Sequence, residues 1–331
     1  AVQIGGLEMK RVLIFGLTAA LAAAAWASDL YVYLGQWGAK GPGNGEFDDA
    51  AGLDGALNGH IYVADRLNHR VQYFTPNGSF LGKWGTFGKG DGEFNQPVFV
   101  KVAPDGFTIY VTDSANHRVQ FFTETGSFLG KWGKLGAGQG EFVRPWGLGF
   151  ATDLTVYVTD SRNHRVQYFT SNGSYLGCWG RFGTGTGDLN NPTGIAVAGN
   201  RNVYVADSYN NRIQYFTSTG SFLGMWGEYG TGDGEFDFPQ GLDIGPCGTL
   251  FVADSRNNRV QLFTPTGSFR GKWGEEGSEN GQFDWPNDVF ILPLGERAYV
   301  AEEYNNRIQY FRRSDPAVAP TSLGRVKALF R

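Results

Sequence analysis

The chain has 331 residues, a formal net charge of −4, 50 glycines and 15% aromatic residues. Glycine punctuating aromatic stretches is a β composition, and an acidic balance makes phosphate backbones poor partners, so nucleic acid is not expected as a ligand. Cys178 and Cys247 fall at non-equivalent places, one in a strand and one in a turn, and are read as unpaired.

In chain order, the first element is an export signal. Met9-Lys10-Arg11 makes a basic start, Val12 to Ala25 is apolar, and Ala25-Trp26-Ala27 is a small-x-small cleavage site. Residues 1–27 therefore read as a signal peptide, with the mature chain starting at Ser28 and residues 1–8 lying upstream of a good start methionine. The apolar run from Val12 to Ala27, 16 residues, is shorter than the ~20 needed to span a bilayer, and an uncleaved anchor is the alternative. Removing residues 1–27 leaves a net charge of −5. The expected location is secreted, periplasmic or cell-surface, with no stable membrane span after cleavage.

Beyond the signal, one phrase is written six times. Tyr62-Val63-Ala64-Asp65 runs on through Asn68-His69-Arg70-Val71-Gln72-Tyr73-Phe74, and returns at Tyr110 to Phe122, Tyr157 to Phe169, Tyr204 to Phe216, Phe251 to Phe263 and Tyr299 to Phe311. The arginines at 70, 118, 165, 212, 259 and 307 set a period of 47 or 48 residues, the mark of an array of identical units.

Each unit carries four strand signals separated by turn chemistry. In the second they are Val98 to Val102, Thr108 to Thr112, Arg118 to Phe122 and Ser127 to Trp132. Four antiparallel strands repeated around an axis describe a blade of a β-propeller, so the fold class is all-β and the propeller six-bladed, over residues 28–311. The sixth copy lacks a fourth strand. Its equivalent stands at the start of the array, Tyr33 to Gly38, so the strand at 33–38 is expected to complete the last blade and close the ring.

Repetition assigns most polar residues to scaffold. Asp65, Asp113, Asp160, Asp207, Asp254 and Glu302 end the second strands, and Arg70, Arg118, Arg165, Arg212, Arg259 and Arg307 begin the third. Such pairs can satisfy turn backbone and each other. His69, His117 and His164 share a slot with Asn211, Asn258 and Asn306, a left-handed turn position rather than a ligand or base. No Cys/His cluster has metal spacing, and the Gly-Asp-Gly-Glu loops lack the carboxylates of a calcium site, so no metal or cofactor is expected.

The Val-Ala-Asp and Asn-x-Arg-(Val/Ile)-Gln-x-Phe runs, Gly-Ser-Phe ahead of each Trp-Gly, and the glycine-rich stretch Gly88 to Phe94 ahead of Pro97 together resemble NHL repeats. The resemblance covers about residues 30 to 311. It implies a six-bladed propeller but no single activity. Some such proteins are RNA- or protein-binding modules of ubiquitin-ligase-type proteins, and others are like α-amidating lyases with histidine-bound zinc. Related six-bladed folds include lactonases and streptogramin lyases. The zinc site does not carry over, because the histidines here lie in scaffold slots. Blade one departs with Ala50 in place of the proline, and the last blade with Glu302-Glu303 in place of Asp-Ser.

Function is then expected where the blades differ on a shared surface, the rim built from the glycine-rich loops and the second-to-third turns. Its varied residues include Arg144, Trp146, Arg162, Tyr209, Phe238, Gln240, Arg256, Trp285, Asn287 and Tyr304, types favoured as binding anchors. The opposing reading has Phe238 and Trp285 wedged between blades and the arginines merely solvated. Asp54, Lys101, Asp243, Asp288 and Glu303 are non-repeated charges expected near the channel mouth. The favoured function is non-catalytic recognition of a protein, peptide or glycan; the alternative is a lactonase- or lyase-type enzyme with a channel metal. Residues 312–331 read as a linker and a basic amphipathic tail, open as a short helix, an export address or a frayed end.

Overall fold

In every repeat the stretch after the glycine-rich loop buries one large apolar side chain completely: Phe47, Phe94, Phe142, Leu189, Phe236 or Phe283. The chain then turns into an inner strand, at Ala50–Gly55, Pro97–Val102, Pro145–Phe150, Pro192–Val197, Pro239–Ile244 and Pro286–Ile291. The computed structural model describes residues 31–314, which form six four-stranded antiparallel sheets. Successive inner strands touch one another all the way round, the last against the first. The second and third strands of each blade are buried, whereas the outer fourth strands alternate between half-buried and exposed, as an edge facing solvent requires.

Two contacts join each blade to the next, except the fifth to the last. The fourth-strand tryptophan lies on a glycine of the next blade's third-to-fourth turn. At Gly126, with φ of +90°, a Cβ would come within 2.6 Å of the Trp84 ring, so only glycine fits that turn. The second-strand tyrosine donates its hydroxyl to a carbonyl in or beside the same turn: Tyr62 to Glu124 at 3.0 Å, Tyr110 to Ser171 at 2.9 Å, Tyr157 to Ser218 at 3.0 Å and Tyr204 to Pro265 at 3.0 Å.

The ring closes as the count of strands implies. Tyr31–Trp37 is the fourth strand of the last blade and pairs antiparallel with Arg307–Arg313, in register from Tyr31 opposite Arg313 to Trp37 opposite Ile308. It begins two residues before the expected 33–38. Its partner likewise runs past Phe311 to Arg313, so Arg312 and Arg313 belong to the strand and not to a linker. Tyr299 of the last blade donates to Pro76 of the first at 3.1 Å, so the seam repeats the contact used elsewhere. The expected signal segment and residues 315–331 lie outside the described residues. Among the described residues no helix is long and apolar enough to cross a membrane.

Candidate functional site

The repeated acid and arginine form a clamp. Arg118 Nε donates to Asp113 Oδ2 at 2.7 Å, while its other nitrogens donate to the carbonyls of Lys89, Gly90 and Glu93 in the glycine-rich loop. Asp113 also accepts from Asn116, Gln120 and the backbone of Asn95. Asp65, Asp160, Asp207 and Asp254 hold Arg70, Arg165, Arg212 and Arg259 in the same way, and Glu302 holds Arg307. Burial raises the pKa of each of these five aspartates, against their hydrogen bonds and arginines. The clamp organises the loop, and its donors are spent on backbone.

The shared His/Asn slot also has a physical reason. All six residues have left-handed backbone, φ running from 51° to 58°. Each places an acceptor one bond beyond Cγ toward the next blade: His69, His117 and His164 accept on Nδ1 from Gln96, Arg144 and Asn191 at 3.1 Å. Asn211, Asn258 and Asn306 accept on Oδ1 from Phe238, Trp285 and Asp49 at 2.8–2.9 Å. Imidazole and amide are interchangeable here because both supply that acceptor.

Glycines let the inner strands approach closely. A Cβ on Gly147, Gly194 or Gly241 would strike backbone of the next blade. The cavity bounded by Ala51, Gly52, Val98, Phe99, Trp146, Asn287 and Asp288 has no room for a water molecule. Trp146 belongs to this closure, with the Arg66 guanidinium of blade one 6.0 Å from its ring centre. Gln240 and Asn287 are buried inside the mouth rather than presented on the rim. Gln240 donates to Asn287 at 3.1 Å, and Asn287 donates to Asp49 at 3.3 Å.

Asp54, Lys101 and Asp243 share the layer near the far ends of the inner strands, away from the loop-rich mouth where they were expected. Lys101 lies 3.2 Å from Asp54 and 3.7 Å from Asp243, tying blade two to blades one and five. Asp54, Asp243 and Asp288 each accept a neighbouring blade's backbone N–H, from Val102, Ile291 and Leu53. Burial pushes Asp54 up to about 6. Burial also opposes the charge on Lys101, but Asp54, Asp243 and Asp288 outweigh it and hold its pKa above the usual lysine value. The described residues contain no group of three or more His, Cys, Asp and Glu arranged to hold a metal ion.

At the mouth the structure reveals a pair that the repeat pattern concealed. Asp49 and Arg66 meet at 2.9 Å, within the field of Glu303, and burial pushes the Asp49 carboxyl up to about 7. The signal was present in the sequence. Arg66 and Glu303 stand in the slot that holds Ser114, Ser161, Ser208 and Ser255 in the other blades.

The rim residues fall into two groups. Arg144 and Arg162 are exposed, with Arg144 donating to Gln96 at 3.1 Å. The others join into an arc over blades four to six. Tyr209 and Phe238 have ring centres 5.3 Å apart, Phe238 and Trp285 5.9 Å, and Trp285 and Tyr304 5.5 Å. The Arg256 guanidinium sits 4.9 Å over Phe238 and 5.6 Å over Trp285, and 3.4 Å from Asp237. Phe238 and Trp285 are half-buried, and both have left-handed backbone just before a proline, with φ of 59° and 55°. That conformation is unfavourable for aromatic residues and disfavoured before proline.

Six blades, a ring of inner strands and a closing strand taken from the other end of the chain define a six-bladed β-propeller. The NHL repeat model matches residues 94–122, 142–169, 189–216 and 236–263, and the remaining two blades carry the same clamp. The chain is an NHL-repeat propeller. No curated protein matches the sequence.

Solved structures with the same fold include a streptogramin B lyase, 13% identical with a TM-score of 0.60, the match covering 87% of this chain and 100% of that one. A gluconolactonase from Xanthomonas campestris is 14% identical with a TM-score of 0.62, covering 82% and 88%. Virginiamycin B lyase from Staphylococcus aureus is 16% identical with a TM-score of 0.55, covering 78% and 79%. At these identities the likeness is one of fold.

Proposed function

We propose that this chain is an exported, non-catalytic recognition propeller that captures a protein, peptide or glycan ligand on its loop-rich face. One observation carries the reading: four aromatic rings and a stacked arginine form a continuous arc on the rim, and two of those rings occupy backbone that the fold tolerates more easily with asparagine. Scaffold alone does not account for them, because Gln96, Arg144 and Asn191 fill the equivalent positions in other blades. The space at Trp146, Asn287 and Asp288, too small for a water molecule, fits a ligand held on the surface rather than one drawn inward there. The full chain, probed against peptide and glycan arrays, is expected to lose its ligand when Trp285→Ala is combined with Tyr304→Ala, with an unchanged melting curve. Undiminished capture by the folded double variant would remove the arc from the binding surface.

A lactonase- or lyase-type activity is the second reading, favoured by the Asp49 carboxyl raised to about 7 beside Arg66 and Glu303. Turnover of gluconolactone or a streptogramin B that Asp49→Asn abolishes, or zinc or calcium retained stoichiometrically by the purified protein, would put the enzyme first.

A further inference from the structure

We propose that the loop-rich face over the last two blades is a receptor for a cationic peptide, a flexible segment of another protein whose Lys or Arg side chains dock among the aromatic rings. This rests on the recognition reading above and names its ligand class. Exposed aromatic surface marks the place. Tyr209, Tyr229 and Tyr304 are 46%, 72% and 56% exposed, and Phe238 and Trp285 lie half-buried within the same arc of blades.

Charge decides the occupant. The glycine-rich loops at 227–238 and 274–285 contain eight Asp and Glu residues and no Lys or Arg. The equivalent loops at 133–144 and 180–191 contain three basic residues and two acids, and both acids are ion-paired, Glu141 with Lys134 and Asp188 with Arg181. Among the described residues Glu228, Glu275, Glu276, Glu279 and Asp284 have no cation partner, and only Asp233 and Asp237 of their two loops are ion-paired. The face is therefore acidic at the loops that carry the four-ring arc and balanced or basic at the loops 133–144 and 180–191.

The arc also shows what it holds. Arg256 already sits over Phe238 and Trp285 beside Asp237, a resident guanidinium held by aromatic rings and a carboxylate. The neighbouring rings and unpaired acids offer the same combination to a second cation. Tyr304 lies inside that field: its pKa is raised by burial first, then by Glu303, Asp284 and Asp49. A neutral sugar would stack on the rings but leave the carboxylates unused, and a polyanion would be repelled. A basic peptide uses both.

The test is fluorescence anisotropy with the purified full chain and two labelled peptides, one alternating glycine with arginine and the other glycine with glutamate. The arginine peptide is expected to bind, to weaken steeply as salt rises from about 0.05 to 0.5 M, and to be roughly tenfold weaker for Glu276→Gln/Glu279→Gln/Asp284→Asn. Trp285→Ala/Tyr304→Ala should weaken it comparably, and Lys134→Ala/Arg181→Ala on the far side should not. Equal binding of the two peptides, or an unchanged affinity in the charge variant, overturns the proposal. If the arc variant loses a neutral glycan while the arginine peptide never binds, the cationic ligand is wrong and the recognition reading stands. If the arc variant changes neither, both are wrong.

Discussion

His69, His117 and His164 accept hydrogen bonds on Nδ1, a job only the neutral ring can do. Burial lowers all three below the ordinary 6.5, with Arg144 and Arg162 adding to the effect at His117 and His164. Because the folded value lies below the unfolded one, their contribution is complete above the unfolded pKa and is lost as pH falls through the folded value. The buried aspartates, with raised folded values, run in the opposite sense, so the wild-type profile alone is ambiguous. Replacing all three histidines by asparagine, the residue in the other blades, isolates the histidine part. The variant should match wild type within about 1 kcal/mol at pH 8 and overtake it as pH falls from 7 to 5. Thermal unfolding curves that stay parallel across that range would contradict the assigned tautomer. Trp285 admits a similar comparison, since Asn191 fills its slot in blade four. Trp285→Asn is expected to leave stability within about 1 kcal/mol, the relieved left-handed strain offsetting the lost ring contact, while ligand capture falls. A large stability loss would mean that the ring is a wedge between blades.

The tyrosine hydroxyl that ties one blade to the next is present in five blades and missing in the fifth, where Phe251 stands. The reason lies in the neighbouring blade. The last blade has no third-to-fourth turn, because its fourth strand comes from the other end of the chain, and the usual acceptor is gone. Tyr31 fills the space instead, its ring 5.7 Å from Phe251 and stacked at 4.8 Å on Trp273, with its hydroxyl donating to Gly295 at 3.2 Å. Phe251→Tyr would bury a hydroxyl without that acceptor and is expected to cost about 1–3 kcal/mol. Tyr204→Phe, which removes a satisfied bond, should cost about 0.5–1.5 kcal/mol. Chemical denaturation of the two variants reads the difference, and a neutral or stabilising Phe251→Tyr would contradict this account of the seam. The Phe in place of Tyr was visible in the repeat, but its meaning needed the contact across the seam.

At the scale of the ring, the relations legible in the sequence are those repeated at one period: the blade, the clamp and the missing fourth strand that implies closure. Relations across the axis have no sequence period. Arg66 meets Trp146 two blades away and Lys101 meets Asp243 three blades away, so neither contact was readable from spacing. Gln240 and Asn287 were misplaced on the rim for a local reason. The register shifts between Pro239 and Leu242, and again between Pro286 and Asp288, which breaks the simple alternation and turns both side chains inward. The closure itself makes a strong claim, that the last blade is an ordinary blade with its turn cut. Tyr31 and Arg313 are direct strand partners at the face opposite the loop-rich rim. Joining them with a Thr-Pro-Thr-Gly turn, and opening new ends between Thr217 and Gly220, moves the cut to blade four without removing any strand. The permutant should fold, melt within about 2–4 °C of the parent, a shift worth roughly 1–2 kcal/mol in a chain of this size, and bind its rim ligand unchanged, since both cuts lie away from the loop-rich face. A permutant that fails to fold, although the same turn inserted elsewhere is tolerated, would show that the pairing of Tyr31–Trp37 with Arg307–Arg313 inside the last blade is a specialised joint and not an ordinary third-to-fourth strand pair.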